Sequence, residues 1–463
     1  MKQQRTRAQR AAASSTRRDF LKSSAGALAG AALSGTIGAS GWQAPYVLAD
    51  SAPNSKLGVA VIGGGGMGGY SVGSAQGERF VALTDVDDGV TAKVLANLEK
   101  NKKPVPKVYC DYRKMLDECQ KDIDVVLIAT PDHNHAPAAI RAINLGKHCF
   151  NQKPMAYNIY ECYALARAAK EKKVLTQMGN QRHCDEPIRR LCEYMWAGAI
   201  GNVLESHTIL GRNFGGSGGR PPSKPVPKNL HWDEWLGPAP FRDYHDGLHT
   251  FSWRSWRDFG TGTVGDMACH HLDFPFWALK LGEVKKFTIE CLNTKGGSAE
   301  MYPQDNIVRW DIPARGNMPP VKVFAYDHDK LMSAMMKETA KKYDRNLNEF
   351  TLFVGDKGLM GSDARIIPEE KHREFKSPEK TLARAKGGGP IGDLFACIKN
   401  GGTPCSNFID AAAPLTAFAL SSHLAMFAGV GKKVEWDVEK MECTNLPDVN
   451  KYVRRVYRKG WEV

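Results

Sequence analysis

Three short stretches hold most of the side chains that can do chemistry. In Gly265-Asp266-Met267-Ala268-Cys269-His270-His271-Leu272-Asp273, Asp266 and His270 are four residues apart and His270 and Asp273 three apart, so on a helix each pair shares a face. An imidazole beside a carboxylate is what a general base for a hydroxyl proton needs. His271 points elsewhere on such a helix and reads as packing or support. The same residues are metal-ligand types, but adjacent helical residues cannot all face one ion, and no metal is expected. In Gln152-Lys153-Pro154, proline holds the preceding residue extended, which leaves the Lys153 amine at a strand end where it can hold a hydroxyl. Ala129-Thr130-Pro131-Asp132-His133-Asn134-His135 closes the strand before it, at the edge where open α/β sheets bind ligands.

These stretches need a sheet to bring them together, and Leu57 to Asp85 begins one. An apolar strand runs into Gly63-Gly64-Gly65-Gly66-Met67-Gly68, a match to GxGxxG. The spacing gives Gly63 the tight turn, Gly65 the close approach to a pyrophosphate, with Gly66 and Met67 beside it, and Gly68 the close helix packing. Asp85 ends the next strand about 20 residues on, placed to accept ribose hydroxyls. Val86 and Asp87 follow where an arginine would be expected for a 2′-phosphate, so NAD is favoured over NADP.

Strand-like runs at Val105–Cys110, Asp124–Thr130, His148–Gln152 and Val174–Met178, with helical spacing between, extend this to a six-stranded doubly wound sheet over residues 55–180. Gly211 to Lys228, rich in Gly, Pro and base, reads as a long loop. Beyond it, strands at Lys285–Leu292, Asn306–Ile312, Val321–Tyr326, Phe350–Val354 and Val434–Trp436, with helices at Ile391–Lys399 and Ile409–Ala428, predict an α+β domain over residues 181–463.

The amino terminus is of another kind. Thr16-Arg17-Arg18-Asp19-Phe20-Leu21-Lys22 is a twin-arginine pattern, followed by an Ala/Gly-rich stretch and by Val47-Leu48-Ala49. This predicts an export signal over residues 1–49, handled by the twin-arginine machinery, and a periplasmic protein. No later segment is read as a membrane span. Residues 1–49 hold seven Lys/Arg and one acid, so the formal +13 of the 463-residue chain falls to about +7 after the signal. Without a basic run interleaved with aromatics, nucleic-acid binding is excluded. The eleven cysteines are scattered, odd in number and never CxxC, and predict neither a disulfide framework nor a cysteine metal site.

The glycine turn with Asp85, the TPDHNH segment, QKP and the GDMACHHLD helix together resemble the Gfo/Idh/MocA family of dehydrogenases, over about Leu57 to Trp436. The resemblance implies an α/β protein: an N-terminal Rossmann domain and a C-terminal domain whose large, open, mostly antiparallel sheet serves oligomerisation as a homodimer or homotetramer. It implies that Lys153 is the lysine of the family's EKP motif, with Gln152 in place of the commoner Glu. Asp266 and His270 match the family's aspartate and histidine four residues apart, and Asp273 a position that contacts sugar hydroxyls in polyol-oxidising relatives.

The implied reaction moves hydride from a sugar or polyol carbon to nicotinamide, with His270 removing the hydroxyl proton, Asp266 supporting the imidazole and Lys153 stabilising the alkoxide. Thr130, Pro131, His135 and Lys153 are placed with the cofactor. Arg182 with His183, Arg254, Trp256 and Asp273 are placed with the substrate. Outside the cytoplasm free NAD is scarce, so the resemblance implies a tightly held cofactor. Two other readings stand beside this one: a redox-neutral NAD-dependent glycosidase using the same residues, and a non-catalytic carbohydrate-binding protein on the same fold.

Overall fold

A computed structural model describes residues 56–347 and 350–463; the expected export signal lies outside them. From Leu57 the chain builds a parallel sheet of β1 (Gly58–Ile62), β2 (Arg79–Thr84), β3 (Lys107–Tyr109), β4 (Val125–Ile128), β5 (His148–Asn151) and β6 (Thr176–Met178), in the order β3-β2-β1-β4-β5-β6. The order reverses between β1 and β4, the switch point at which such sheets bind ligands.

Helices cover both faces, so the central strands read as continuous apolar runs. Alternation then sorts the side chains. Val59, Val61 and Leu127 point to a layer with Val72 and Ala75 of α1 (Gly68–Ala75) and Leu98 of α2 (Asp88–Lys100). Ala60, Ile62, Val126 and Ile128 point to the opposite layer, with Met115 and Leu116 of α3 (Tyr112–Cys119), Ala139 and Ile143 of α4 (His135–Asn144), and Leu165 of α5 (Ile159–Lys172). After α6 (Glu186–Trp196) the chain enters the second sheet.

That sheet has nine strands in the order β13-β12-β11-β7-β10-β9-β8-β14-β15, comprising β7 (Val203–Ile209), β8 (Lys286–Lys295), β9 (Gln304–Ile312), β10 (Val321–Tyr326), β11 (Thr351–Gly355), β12 (Gly358–Gly361), β13 (Ile366–Ile367), β14 (Lys433–Asp437) and β15 (Glu442–Cys443). Only β7 and β10 run parallel; every other neighbour is antiparallel. This is the expected N-terminal Rossmann sheet followed by a mostly antiparallel one. The sequence pattern misses β7, because Ser206, His207 and Thr208 are buried at the sheet centre and break the apolar signal. Thr208 and Thr351 satisfy each other across the strands, hydroxyl to hydroxyl at 2.9 Å.

Three helices join the two sheets. α7 (Gly262–His271) carries the histidines, and α8 (Gly389–Asn400), grouped by sequence with the second domain, lays Ile391, Leu394 and Cys397 on the Val59 face of the first sheet. α9 (Ala413–Ala428), with the π turn Phe408–Ala412 before it, packs against α5, α7 and β8. Phe408–Ala428 is long and apolar enough by length and composition to cross a membrane, but 78% of its most apolar window is buried inside the fold, as in a core helix. Its Phe418 stacks on Trp310 of β9 at 5.0 Å.

Burial keeps several histidines neutral. His133, His271 and His423 are pushed down to about 3, 2 and 4, in each case by burial first. An unfolded chain binds protons at these rings from about pH 6.5 downward, whereas the folded chain resists until about pH 4 or lower. Their neutral state therefore supports the fold fully above pH 6.5 and ever less as the pH falls. Thermal melts should show the midpoint dropping by several degrees between pH 6.5 and 5, with a shallower fall in His423→Gln.

Candidate active site

The sheet ends and the connection ahead of α7 converge on a cavity of about 480 Å³, lined at one end by Gly63, Gly65, Gly66, Met67 and Asp85 and at the other by Thr130, Asp132, Lys153 and Arg254; Asp266 and His270 of α7 stand behind this wall and do not line it. The glycine turn is fixed by sterics. A Cβ on Gly63, whose φ is +86°, would stand 2.7 Å from the Ala129 carbonyl oxygen; one on Gly68 would stand 2.0 Å from that of Gly63. Gly68 thus sets helix packing and does not line the cavity. Asp85 accepts the Gly64 N–H at 2.7 Å and the Asp87 N–H at 3.0 Å, and burial pushes its carboxyl up against those bonds.

At the other end two cations share one carboxylate. Lys153 Nζ lies 3.0 Å from Asp266 Oδ1 and donates to the Asp266 carbonyl oxygen at 3.0 Å; Arg254 Nε reaches the same Oδ1 at 3.2 Å. Arg254 lies over the Trp253 and Phe251 rings, at 4.2 and 4.5 Å from their centroids. Removing one partner from such a buried set typically costs about 3–5 kcal/mol, because the others are left uncompensated. Asp132 stands beside this set, almost wholly buried, accepting the Thr261 hydroxyl at 2.7 Å. Burial first, then the negative field of Asp266, pushes it up to about 7, against the pull of Lys153 and Arg254.

Several predicted residues do other work than expected. Asp266 makes no bond to His270, because Lys153 and Arg254 occupy it. Among the described residues His270 has no hydrogen-bond partner and packs edge-on to His271. Burial, with the fields of Lys153 and Arg182, keeps it neutral. Nor does Asp273 meet His270: it holds His183 Nδ1 at 2.9 Å and accepts from Asn180 Nδ2 at 3.2 Å. Arg182 lies 3.2 Å from His271 Nδ1. Trp256 is a core residue rather than a substrate contact, its indole donating to the Gly247 carbonyl at 3.2 Å. His135 is sealed between the carbonyls of Thr130 and Pro154 at 2.8 and 2.7 Å, so it ties the two strand ends together and does not face the cavity.

Other lining residues escape a motif search. His249, Thr250, Phe251 and Trp253 come from the connection ahead of α7, and Trp461 from the carboxyl-terminal tail, where Arg113 lies over its ring at 3.9 Å. Asp132 carried a signal: it sits inside TPDHNH, and only the fold reveals its carboxylate neighbour. Three side chains lining the cavity keep a buried polar atom without a partner: Thr130 Oγ1, Asn134 Oδ1 and Gln152 Nε2. With the glycine turn and Asp85, they fit a dinucleotide whose amide and hydroxyl groups supply the missing bonds.

Fold and cavity together define a two-domain protein with a dinucleotide site at its sheet switch point. Residues 57–180 match the NAD-binding Rossmann fold of the Gfo/Idh/MocA oxidoreductase family, and residues 198–293 match its C-terminal alpha/beta domain. The chain thus matches a model for each of the two domains of that family, and NAD is its cofactor. A Glycosyl hydrolase family 109 protein of Shewanella baltica is 32% identical over 211 residues, 41% of this chain and 44% of that protein. The α-N-acetylgalactosaminidase of Shewanella oneidensis is 31% identical over 134 residues, 28% of each. The chain thus spans less than half the length of these curated relatives. The WlbA dehydrogenase of Chromobacterium violaceum, solved with NADH and UDP-GlcNAcA, shares the fold with a TM-score of 0.55 at 16% identity, covering 82% of this chain and 96% of that one.

The buried Asp132 gives a test of the electrostatics. Its folded form binds a proton between about pH 4 and 7 that the unfolded chain has released, so its presence lowers stability as the pH rises through that window. Asp132→Asn, which can still accept from Thr261, should gain roughly 2–4 kcal/mol relative to wild type between pH 4 and pH 8. Denaturant melts at both pH values check this; an equal difference at the two would place an ordinary ionised carboxylate there.

Proposed function

We propose that the protein is an NAD-dependent oxidoreductase acting on a hydroxyl of a sugar, polyol or sugar derivative. The observation that carries this reading is Lys153, held by Asp266 in the wall of a cavity that begins at the glycine turn. When bound, NAD supplies a hydride acceptor. The Lys153 ammonium donates to the substrate oxygen and stabilises the negative charge that grows there as hydride departs. Asp266, acceptor-only and shared with Arg254, fixes the direction of that ammonium without reorganising during the step. His270, kept neutral by burial and with no competing partner among the described residues, stands on α7 behind the cavity wall and is the group to which this reading assigns the hydroxyl proton. Arg254, backed by Trp253 and Phe251, offers its remaining N–H groups to substrate oxygens.

A second reading has its own observation. Asp132 lines the same cavity as an acid that keeps its proton near neutral pH, which is what a leaving glycosidic oxygen needs. The curated relatives named as glycosyl hydrolases favour this redox-neutral route, in which the same residues oxidise the sugar, permit elimination and restore the starting oxidation state. Export through the twin-arginine machinery, which carries folded proteins, suits either route if NAD travels inside the protein.

Purified protein should release NAD(H) on denaturation at about one per chain, read by absorbance and mass. Asp85→Ala should lower that content. Lys153→Ala should retain it while losing turnover roughly 100- to 1,000-fold. Screening sugars for NADH formation, and aryl α-N-acetylgalactosaminides for aglycone release without net NADH, separates the two routes. Protein that neither carries nor takes up NAD would overturn both and leave the carbohydrate-binding reading.

A further inference from the structure

Away from the cavity, two thiols distant in sequence meet. Cys184 ends the 3-10 turn Gln181–Cys184 after β6, and Cys405 lies in the connection between α8 and the π turn that opens α9. They are 221 residues apart in the chain, yet their sulfurs stand 2.7 Å apart. Non-bonded heavy atoms rest at roughly 3.5–4 Å, and a disulfide closes at about 2 Å. Both residues are partly exposed.

With Asp393 the two cysteines form a group of metal-ligand types, all within 4.8 Å of one another. The neighbours argue against a cation. Asp393 is already engaged: Oδ2 accepts the Cys405 N–H at 2.8 Å and Oδ1 the Lys386 N–H at 2.6 Å. Gln177 accepts the Ser406 N–H through Oε1 at 2.8 Å, which fixes its amide so that Nε2 faces both sulfurs at 3.4 Å. An N–H donor aimed at two sulfurs stabilises a thiolate and repels a metal. No fourth ligand joins the three among the described residues.

We propose that Cys184 and Cys405 are a redox couple that closes to an intrachain disulfide by exchange with a small-molecule disulfide. The roles are unequal. Hydrogen bonding from Cys184, with the field of His183, holds the Cys405 thiol below its ordinary value despite burial, whereas Cys184 is raised and keeps its proton. Cys405 is therefore the attacking thiolate. Its sulfur bonds to one sulfur of the donor and expels the other as a thiolate. Cys184 then loses its proton, bonds to Cys405 and expels the second. Two protein thiols give up two electrons and two protons, and the donor leaves as two thiols. In an oxidising compartment the closed form dominates.

Closure would clamp a network behind the active site. Ser406, next to Cys405, donates its hydroxyl to Asn180 Oδ1 at 2.6 Å, and Asn180 holds Asp273, the partner of His183. A cross-link over so long a loop constrains the unfolded chain strongly.

The test uses the full chain, reduced and then equilibrated with glutathione disulfide. Digestion without reduction should yield one linked peptide pair containing Cys184 and Cys405, two hydrogens lighter than its parts and released by dithiothreitol. The melting midpoint should rise by roughly 3–8 °C on oxidation, and not in Cys184→Ser or Cys405→Ser. If a serine variant fails to fold, the wild-type peptide map decides alone. Full alkylation of both thiols after oxidation, with no linked pair, would overturn the proposal. So would stoichiometric zinc in the wild-type protein that shields both thiols and is lost in Cys405→Ser, which would make the group a metal site.

Discussion

Two cations and a carboxylate taken out of water impose the tightest constraint on this molecule. Lys153 comes from the end of β5, Asp266 from α7 and Arg254 from the connection ahead of it, so the charge balance of the cavity is assembled across the two sheets. A buried ammonium without a partner would cost several kcal/mol. The three groups are therefore stable only when strand end, helix and connection are docked together, which ties formation of the site to docking of the C-terminal layer. Asp132 completes the set. Burial first, and then the neighbouring Asp266 carboxylate, disfavour a further negative charge at this depth, and a proton on Asp132 relieves both.

The rest of the fold serves that docking. α8 returns from late in the chain to cover the Val59 face of the first sheet, and α9 packs between α5 and the second sheet, so neither layer is complete without the other. Some of the polar groups this buries are satisfied across the layers. His423 on α9 lies 2.9 Å from the carbonyl of Thr261, and Thr261 in turn donates to Asp132. A core helix, the turn before α7 and the acid in the cavity are thus connected by two hydrogen bonds.

How much of this was legible depended on whether the signal was local. The glycine turn and the six parallel strands are dictated by backbone sterics and by burial on both faces, which leave a pattern in adjacent residues. β7 left none, because a central strand can bury Ser206, His207 and Thr208, the latter two with polar partners on Tyr326, Glu205 and Thr351. Spacing correctly placed Asp266 and His270 on one helix, but it could not say which partner Asp266 would choose. Two cations from elsewhere in the chain outcompeted the neutral imidazole. Likewise Trp256 and His135 are residue types that suit a sugar or a cofactor, and tertiary packing consigned them to the core. Trp461 and the Cys184–Cys405 pair depend on contacts between distant segments, which no local window contains.

The arrangement of the site bears on the choice between dehydrogenase and glycosidase chemistry. A simple dehydrogenase needs a proton acceptor and a cation for the alkoxide, the roles that the proposed reading gives to His270 and Lys153. Nothing in that step calls for a protonated acid. Asp132 is kept as one by burial beside Asp266, at a thermodynamic cost that grows with pH, and asparagine would fill the same volume and accept the same Thr261 bond. A chain that bears this cost holds an acid in the wall of its cavity, which the proposed glycosidase reading uses and the proposed dehydrogenase reading does not. Between those two proposals, the fate of the Asp132 proton during turnover is the difference.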